Sequence, residues 1–546
     1  MHQSFTLIPI IAPFLLFFYA LVALIRPKAS LLKSKSATQF FTAMGILVSI
    51  ISGILVFKYG TLTSAFFGWY EVGFSIRLDS LSITMLTMIA LLGFIIVRFS
   101  MNYLDGDARQ SIFLARMTAT IASVELLVLS GNMMQLFVFW VITSICMHYL
   151  LVFYRDRPQA IAAARKKFIV ARIGDASLLA ATILIYLNYG TGDLTKIFEG
   201  VQNTAPLNTQ LTLATVFIVL AAVFKSAQFP THGWLIEVVE TPTPVSSLLH
   251  AGLLNAGPFL IVRMGFLMSE SSSASLMLIV IGGFTAMFAS VVFLTQPTVK
   301  VSLGYSSVAH MGFSLLVCGF GVYSAALLHL VAHSFYKAHS FLSSGSVIDL
   351  VRAKKVSIPK RKGSIFRIIL SITFSLAVYA CFCYLWGIQP QEEFGLMAIG
   401  AVIVMGSSQI MVQTFDSNGT ISAMLQSAFL VIVVAGLFFI LEQGAHLLLQ
   451  SQIPAAYVPS LAIQLTVGMV ILCFFILVLL QLAAPNLKRG TFGYQLGVHL
   501  RNGFYANVIF DRMVGSLKND KFKWANLTIE EKTDNQAEYI LSAEKK

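Results

Sequence analysis

The stretch from Phe224 to Gly252, FKSAQFPTHGWLIEVVETPTPVSSLLHAG, lies between two apolar runs that are each long enough to cross a membrane. It holds one lysine, two histidines and two glutamates, and its prolines are Pro230, Pro242 and Pro244. Proline frees backbone groups and breaks helices, and broken helices at mid-membrane are how transporters expose polar groups to an ion. The stretch therefore predicts helix breaks at these prolines, with functional groups beside them.

The composition of the whole chain indicates a membrane protein. Of 546 residues, 57% are hydrophobic and only 11% are charged, whereas about 25% charged residues is usual in soluble domains. We therefore predict an all-α polytopic membrane protein. The five cysteines lie within apolar runs and lack the paired spacing of a metal site, so we assign them no metal or redox role.

About fifteen apolar runs are long enough for a helix to cross roughly 30 Å of hydrocarbon. The first run, 5–25, is followed by basic residues and is expected to be a membrane anchor. The predicted spans are 5–25, 38–57, 80–98, 112–129, 133–153, 168–188, 211–240 (interrupted), 245–263, 276–295, 305–321, 322–348 (interrupted), 366–386, 395–413, 420–441 and 461–484.

The basic residues predict the orientation, because short cytoplasmic loops collect Lys and Arg. Loops after odd-numbered helices hold most of them, which predicts an N-terminus outside and a C-terminus in the cytoplasm. The net charge of +13 then lies mainly in cytoplasmic loops and the tail, so nucleic-acid binding is the weaker interpretation. The residues assigned to these loops are Arg26, Lys28, Lys33, Lys35, Arg98, Arg109, Arg116, Arg155, Arg157, Arg165, Lys166, Lys167, Arg352, Lys354, Lys355, Lys360, Arg361, Lys362 and Arg367.

The tail from Ala484 to Lys546 differs in kind from the rest of the chain. It is polar and ends in a charged run, and its segment Val498–Leu517 has apolar residues at roughly helical spacing. That segment could lie on the membrane as a surface helix, dock against a membrane helix or receive a soluble partner.

Lys225 is the clearest ionisable residue in a spanning run. A charge at the bilayer centre costs at least about 2.5 to 3.5 kcal/mol, so such a residue is by default a functional candidate. The alternative is that Lys225 reaches to an interface with its long side chain. A nearby carboxylate would oppose release of the lysine proton, so a carboxylate that moves or becomes protonated would make the lysine a gate. The candidate counter-charges are Asp175, Glu125, Glu237 and Glu240.

Histidines and a second lysine extend this set. His250 lies on an apolar helix, and His329, His333 and Lys337 recur at i, i+4 and i+8, which places them in one stripe. Imidazole both takes and gives a proton near neutral pH, so Lys225, His250, His333 and Lys337 predict a lateral proton path. Two histidines at i, i+4 also suit a metal, but no third ligand stands nearby in sequence, and metal binding ranks low. His148 and His310 could join the path or satisfy a backbone carbonyl.

The motifs KSAQFPTHGWL, PTPVSSLLHAG, HLVAHSFYKAHSFLSSGSV and RIGDASLL resemble the antiporter-like, proton-conducting subunits of respiratory complex I and of multi-subunit cation/proton antiporters. The resemblance covers roughly residues 78–349. It implies paired inverted five-helix repeats, each with a broken helix, and it places Lys225, His250, His333 and Lys337 on positions implicated in proton transfer, with Asp175 on an acidic position nearby.

Two departures from that family disfavour an ordinary complex I pump. The family usually has Trp-Glu on its fifth helix, whereas this chain has Trp140 followed by Val141. Residues 366–414 contain no lysine, so the broken-helix lysine of the second repeat is missing. We expect these losses to redirect the proton path.

The variant ETPTPVSSLLHAGLLNAG, which begins at Glu240, and the tail sequence VHLRNGFYANVIFDR are most similar to the DabB type, the membrane subunit of two-subunit dissolved inorganic carbon accumulation systems. This resemblance implies a non-enzymatic subunit in the bacterial inner membrane, driven by proton or sodium motive force. It implies a large soluble partner of the DabA type at the cytoplasmic face, a zinc protein that resembles a β-carbonic anhydrase. No zinc-site constellation stands in this chain, so any CO2 hydration is expected in the partner.

Two other functions compete with this interpretation. The chain could be a proton-translocating subunit of a complex I-like or Mrp-type antiporter complex. A self-contained solute carrier is disfavoured because the polar groups form a proton-type set. The predicted organisation is N-terminal transmembrane helices (1–110), a first antiporter-like repeat (111–265), a second, divergent repeat (266–415), C-terminal transmembrane helices (416–484) and a cytoplasmic tail (485–546).

Overall fold

Helices form nearly all of the regular structure in the computed structural model of the chain. The model describes residues 5–26, 31–155, 157–203, 206–238, 241–345, 364–389, 393–416, 420–455, 459–483 and 492–514. The helices are α1 (Ile11–Ile25), α2 (Leu31–Tyr59), α3 (Ser80–Tyr103), α4 (Gln110–Val128), α5 (Met133–Leu151), α6 (Pro158–Tyr189), α7 (Leu194–Asn203), α8 (Thr209–Lys225), α9 (Gly233–Glu237), α10 (Thr243–Ala251), α11 (Ala256–Arg263), α12 (Gly265–Ser269), α13 (Ser272–Thr295), α14 (Val299–Gly319), α15 (Tyr323–Leu342), α16 (Ile365–Trp386), α17 (Phe394–Phe415), α18 (Ile421–Leu449), α19 (Leu461–Ala483), α20 (Phe492–Arg501) and α21 (Ala506–Val514).

Thirteen stretches of the described residues are long and apolar enough to cross a membrane. Two predicted runs are not among them. Helix α8 has only 17 residues because it ends at Lys225, and the polar stripe of His329, His333 and Lys337 lowers the hydropathy of α15. Every predicted run therefore corresponds to helix in the structure, and the all-α polytopic fold is confirmed.

Two small pairs of antiparallel strands follow α2, and hydrophobic periodicity does not predict them. Strand β1 (Leu62–Thr63) pairs with β4 (Arg77–Leu78), and β2 (Phe67–Trp69) pairs with β3 (Val72–Phe74). The two residues between β2 and β3, Tyr70 and Glu71, both take positive φ, as a tight two-residue hairpin turn requires. Strands of two or three residues are too short for a recognisable alternation of polar and apolar side chains.

A buried carboxylate connects strand β4 to the helices. Asp79 caps α3 by accepting a hydrogen bond from the amide of Ser82 (2.8 Å), and it also accepts from Arg77 Nε (2.8 Å) and from Arg263 Nη1 (2.5 Å). Burial alone would raise the pKa of Asp79, but the charges of Arg263 and Arg77 outweigh it and hold that pKa well below its usual range. The sequence does not predict this cluster.

Small residues allow close packing between α13 and α14. A Cβ atom on Gly282 would lie 2.7 Å from the carbonyl oxygen of Gly312, and a Cβ on Gly312 would lie 2.8 Å from that of Gly282. Membrane helices associate through such close backbone approach because lipid supplies no hydrophobic driving force between them. Any larger side chain at either position would push the two helices apart.

The tail segment predicted to be amphipathic forms two short helices that dock against the bundle. Asp511 of α21 forms an ion pair with Lys166, and Phe504, between α20 and α21, lies 6.4 Å from Phe288 of α13 by ring centroids. Of the three alternatives for this segment, the structure favours docking against membrane helices. The remainder of the predicted tail, from residue 515 onward, lies outside the described residues.

Two of the basic residues assigned to a cytoplasmic loop are buried, which corrects that assignment. Helix α6 begins at Pro158, so Lys166 and Lys167 lie more than two turns inside it, with 1% and 7% of their surface exposed. Hydropathy favoured a later start because the segment AAARKKF is only weakly apolar. Arg165 is also helical, but its side chain is exposed.

We expect Asp79→Ala to destabilise the protein strongly, because it leaves two buried guanidinium groups without their shared counter-charge. Removing one partner of a buried ion pair costs about 3 to 5 kcal/mol. The measurement is the free energy of unfolding of the purified protein in a denaturing-detergent titration. Glu71→Gln is the control, because it removes one partner of the exposed Glu71–Lys196 ion pair (2.8 Å) and should change stability little. Equal stability of Asp79→Ala and the wild type would contradict this account.

Candidate functional site

Helix α8 ends at Lys225, inside the bundle, and the chain continues as an irregular segment to α9. Ala227 takes a φ of 52°, which is costly for a residue other than glycine, and Pro230 follows in the same segment. Part of the freed backbone finds a partner, since the amide of Phe229 donates to Thr285 Oγ1 of α13 (3.2 Å). The predicted break at Pro230 is therefore present, and the surrounding helices hold it in place.

Pro242 and Pro244 begin a helix and do not interrupt one, which corrects the prediction for these two residues. Pro242 directly precedes α10, and Pro244 lies in its first turn, where a missing N–H group costs nothing. A second interruption comes later, where a 3-10 turn at Leu253–Asn255 separates α10 from α11. Pro258 accounts for it, because its ring would clash with the carbonyl of Leu254 in a continuous helix.

The ammonium group of Lys225 lies against α5 and is held by oxygen atoms. It donates to the carbonyl of Trp140 (2.9 Å), the hydroxyl of Thr143 (3.2 Å) and the hydroxyl of Ser144 (2.7 Å). It also lies 4.4 Å from the centroid of the Trp140 ring. Among the described residues no carboxylate forms an ion pair with it. These three acceptors replace most of the hydration that the ammonium loses on burial.

Asp175 and Arg172 of α6 form an ion pair (2.6 Å) at the edge of this cluster. Both line an open cleft of about 410 Å³ between α5 and α6, and Val141 lines the same cleft. Asp175 interacts electrostatically with Lys225. The family's glutamate would be the counter-charge of Lys225. In this chain Val141 stands at that position, and the carboxylate in the same cleft is Asp175.

Lys167 is a site residue that the sequence analysis did not identify. Its ammonium donates to the carbonyl of Ser144 (2.9 Å), the residue whose hydroxyl accepts from Lys225. The signal that could have found it is the helical spacing of Lys167 and Asp175, which at i and i+8 share one face of α6. Assigning Lys167 to a loop concealed that spacing.

Glu125 does not pair with Lys225. It lies on α4, its side chain approaches Gly45 of α2, and only 1% of its surface is exposed. Neither carboxyl oxygen has a hydrogen-bond partner among the described residues. Its position among α1, α2 and α4 separates it from the broken helix.

Glu237 does not pair with Lys225 either, and this expectation is also corrected. At the end of α9, its carboxylate accepts from Lys166 (2.5 Å) and from the side-chain amide of Asn507 on α21 (2.5 Å). Glu237 therefore ties the segment after the helix break to α6 and to the C-terminal helix. Glu240, the fourth candidate counter-charge, lies outside the described residues.

His250 lies on α10, just before the second interruption, and it is buried. Its ring stacks on Phe341 of α15, with 4.3 Å between centroids. Its Nδ1 atom has no hydrogen-bond partner among the described residues. An unpaired ring nitrogen in this position is available to accept or donate a proton.

Three histidines from two helices form a cluster at the centre of the second half of the molecule. The His310 ring of α14 lies 5.2 Å from those of His329 and His333 on α15, and the two α15 rings lie 6.1 Å apart. The predicted stripe on α15 is therefore extended by His310, one of the two histidines whose role the sequence left open. In the described parts of the chain no three His, Cys, Asp or Glu side chains converge as a metal site would require.

Lys337 lies one turn beyond His333 and is fully buried. Its ammonium donates to Ser306 Oγ of α14 (2.7 Å) and to the carbonyl of Leu303 (3.3 Å). Like Lys225, it is held by a hydroxyl and a carbonyl of a neighbouring helix. Helices α16 and α17 are continuous throughout their bounds, so neither contains the second helix break that the family resemblance implies.

Polar residues just after α8, just before α11 and on α15 lie between the two halves of the site. Gly257 of α11 packs so closely on α8 that a Cβ there would lie 3.0 Å from Ser226 Oγ. Two residues earlier, Asn255 donates its side-chain amide to Ser334 Oγ of α15 (2.6 Å), and Ser334 is adjacent to His333. The structure thus places buried polar groups between Lys225 and His333, two of which, Asn255 and Ser226, the sequence analysis did not single out.

Comparison with known proteins identifies the family. The chain is 34% identical over 514 residues to the probable inorganic carbon transporter subunit DabB2 of Halothiobacillus neapolitanus (strain ATCC 23641 / c2), an alignment that covers 90% of this chain and 91% of that protein. The chain belongs to the DabB family. A DabB protein of Hydrogenovibrio crunogenus (strain DSM 25203 / XCL-2) is 37% identical over 58% of this chain and 60% of its own length.

The DabB family lies within a wider antiporter-like class. Residues 130–388 match the transmembrane family of NADH:quinone oxidoreductase and Mrp antiporters, and residues 66–114 match the N-terminal family of complex I chain 5. NADH-quinone oxidoreductase subunit L of Escherichia coli (strain K12) is 34% identical over 56% of this chain and 51% of its own length. The chain is therefore a multi-pass, antiporter-like membrane subunit of the cation-conducting class, and its relatives are subunits of complexes.

Solved structures share the fold. A chain of the Mrp complex from Dietzia sp. DQ12-45-1b aligns with 99% of this chain and 63% of its own length, with a TM-score of 0.62 and 21% identity. A chain of the archaeal membrane-bound sulfane sulfur reductase aligns with 93% of this chain and 99% of its own length, with a TM-score of 0.57 and 19% identity. At these identities the likeness concerns the fold alone.

We expect Val141→Glu to slow proton flux. A carboxylate at this position would enter the cleft beside Asp175 and stabilise the ammonium form of Lys225, and about 1.4 kcal/mol of such stabilisation lowers a rate about tenfold. The measurement is proton flux into proteoliposomes that hold a pH-sensitive dye. Val141→Gln is the matched control, because it has nearly the same size without the charge. Equal fluxes for the glutamate variant and the wild type would show that the cleft is not coupled to Lys225.

Proposed function

We propose that this chain conducts protons and couples the proton motive force to inorganic carbon accumulation by a soluble partner. The observation that carries the proposal is its similarity, over 90% of the chain, to a probable inorganic carbon transporter subunit. The buried ionisable groups support it, because a lysine, a second lysine and four histidines lie on adjoining helices with hydroxyl and amide groups between them. Such groups are expensive in a membrane and mark ion pathways.

The proton path begins at the Lys225 cluster. Asp175 and Arg172 line the cleft between α5 and α6, and in this proposal the Asp175 carboxylate is the first group to hold the proton. The ammonium of Lys225 then holds the proton, and the break after α8 allows the lysine to change partners without unwinding a helix. His250 and the cluster of His310 and His333 continue the path laterally toward Lys337.

The partner in this proposal is a large soluble zinc protein of the DabA type, resembling a β-carbonic anhydrase, at the cytoplasmic face. Its zinc would supply the hydroxide that attacks CO2. The membrane chain supplies energy: each charge that crosses 100 mV releases about 2.3 kcal/mol, which biases hydration toward bicarbonate if the two processes are coupled. The bacterial inner membrane, an external N-terminus and a cytoplasmic C-terminus belong to the same proposal.

The C-terminal helices offer a physical connection between the partner and the proton path. Asp511 of α21 forms an ion pair with Lys166, and Asn507 of α21 donates a hydrogen bond to Glu237. Glu237 is the last residue of α9, the helix that follows the break. A partner that binds the polar tail would shift α21, and the hydrogen bond from Asn507 to Glu237 would transmit that shift to α9. Movement of α9 would alter the segment that contains Pro230 and so the surroundings of Lys225.

The alternative function is proton translocation in a complex I-like or Mrp-type antiporter complex. The similarity to subunit L of Escherichia coli favours it, but that alignment covers 51% of subunit L, whereas the alignment with DabB2 covers 91% of the relative. The two functions differ in their partners, which a single purification distinguishes.

Purification in mild detergent from the native host tests the partner. We expect one large soluble protein to copurify, and mass spectrometry with metal analysis to find zinc in it. Several membrane subunits without zinc would overturn the carbon-accumulation function and favour the antiporter complex. A tagged unrelated membrane protein, purified in the same way, controls for nonspecific capture.

Substitution of Lys225 tests proton conduction. We expect Lys225→Ala to lower inorganic carbon accumulation in cells by about a hundredfold or more, the lower end of what a proton-transfer group contributes, while the partner still copurifies. Lys225→Arg should fail as well, because arginine keeps its proton in proteins. Uptake of labelled bicarbonate measures both variants. Accumulation that persists in Lys225→Ala would remove the lysine from the mechanism, and persistence in Lys225→Arg alone would show that only its charge is needed.

A further inference from the structure

Lys167 lies deep within α6, and its charge has no part in the lateral proton path. About 7% of its surface is exposed, and its position nine residues after the start of α6 places it roughly 14 Å along the helix. Its ammonium donates to the carbonyl of Ser144. No carboxylate among the described residues forms an ion pair with it, in contrast to its neighbour Lys166, which contacts two.

Ser144 brings two lysines from different helices together. Its hydroxyl accepts from Lys225 on α8 (2.7 Å), and its carbonyl accepts from Lys167 on α6 (2.9 Å). Two ammonium groups on one residue repel each other, so a proton on one disfavours a proton on the other. Such a pair shares protons, whereas a purely structural lysine would be placed opposite a carboxylate.

The packing of α6 against α8 shows how Asp175, Lys225 and Lys167 are arranged along the membrane normal. Helices α6 and α8 touch at Gly174, where a Cβ would lie 3.2 Å from the Cβ of Phe224, the residue before Lys225. Asp175 lies next to that crossing, and Lys167 lies two turns nearer the start of the helix. Asp175, Lys225 and Lys167 therefore form a line that runs from the open cleft toward the membrane face where α6 begins.

His148 lies beyond Lys167 on the same line. It is one turn after Ser144 on α5, in the last turn of that helix, and it interacts electrostatically with Lys167. Its Nδ1 atom is buried without a hydrogen-bond partner among the described residues. A titratable group thus stands between Lys167 and the membrane face where α5 ends.

We propose that Lys167 is a second proton-transfer residue, which accepts the proton that Lys225 releases and passes it toward the membrane face where α6 begins. In this step an N–H bond of the Lys225 ammonium breaks and an N–H bond forms on the neutral Lys167 amine, so charge and protons balance. The proposal rests on proton conduction through Lys225, and it adds to the lateral path a branch that carries most of the proton flux.

The test measures proton flux in proteoliposomes that contain the purified complex. Lys167→Gln keeps a hydrogen-bond donor for the Ser144 carbonyl but cannot carry a proton. Lys167→Arg keeps the positive charge but does not release its proton. We expect both to lower flux at least tenfold. Arg165→Gln is the matched control, because it removes a charge from an exposed position in the same turn of α6 and should leave flux unchanged.

A chemical rescue separates proton transfer from a structural role. In Lys167→Ala, externally added methylamine should restore flux, because a small amine can occupy the space of the missing side chain and carry its proton. Flux at the wild-type level in Lys167→Gln or Lys167→Arg would overturn the proposal, as would failure of methylamine to restore flux in a Lys167→Ala protein that melts at the wild-type temperature. If Lys225→Ala also conducts normally, proton conduction through Lys225 itself is wrong. Loss of flux in Lys225→Ala alone rejects only the role of Lys167.

Discussion

The structure depends on holding the ammonium of Lys225 inside an apolar bundle without a carboxylate bound to it. The charge would be prohibitive there without hydrogen-bond acceptors, and α5 supplies three from one turn, at Trp140, Thr143 and Ser144. Lys225 is also the last residue of α8, so the chain becomes irregular directly after it. The break after α8 in turn requires the support of α13, whose Thr285 binds the backbone of the irregular segment.

Because valine stands at position 141 in place of the family's glutamate, Lys225 has no directly paired carboxylate. A glutamate at position 141 would pair directly with Lys225 and hold its proton. In this chain the carboxylate is Asp175, which is already paired with Arg172 at the cleft, so Lys225 is left to neutral oxygen atoms. An ammonium bound by neutral groups gives up its proton more readily than one bound by a carboxylate. The replacement therefore suits a lysine that must release protons repeatedly.

Much of the fold could be predicted from the sequence, because membrane spans follow from long apolar runs and the break follows from Pro230. The proton-type residues Lys225, His250, His333 and Lys337 could also be singled out, since charge in an apolar run is rare. The partners of those residues could not. Glu237 is much closer to Lys225 in sequence than Asp175 is, and Glu125 is farther away, yet packing places both glutamates in clusters apart from Lys225, so only coordinates distinguish the three.

Two further features escaped the sequence for different reasons. Lys167 follows Lys166 in a basic run that looks like a loop, and hydropathy cannot tell a cytoplasmic lysine from one buried two turns inside a helix. The interruption between α10 and α11 was missed because Pro258 lies in a run that is otherwise continuously apolar. In both cases the local pattern was ambiguous and tertiary packing decided the outcome.

The lateral path and the Lys167 branch, which both start at Lys225, lead toward the same membrane face. Lys167 lies roughly 14 Å from the start of α6, and Lys337 lies five residues, roughly 7.5 Å, before the end of α15. The helices between them alternate in direction, so the start of α6, the end of α13, the start of α14 and the end of α15 share one face. The C-terminal segment packs on that face, where Asp511 contacts Lys166 and Phe504 contacts Phe288. A soluble partner bound there would therefore stand at both outlets, so protons could drive its reaction without crossing a second broken helix, which neither α16 nor α17 supplies.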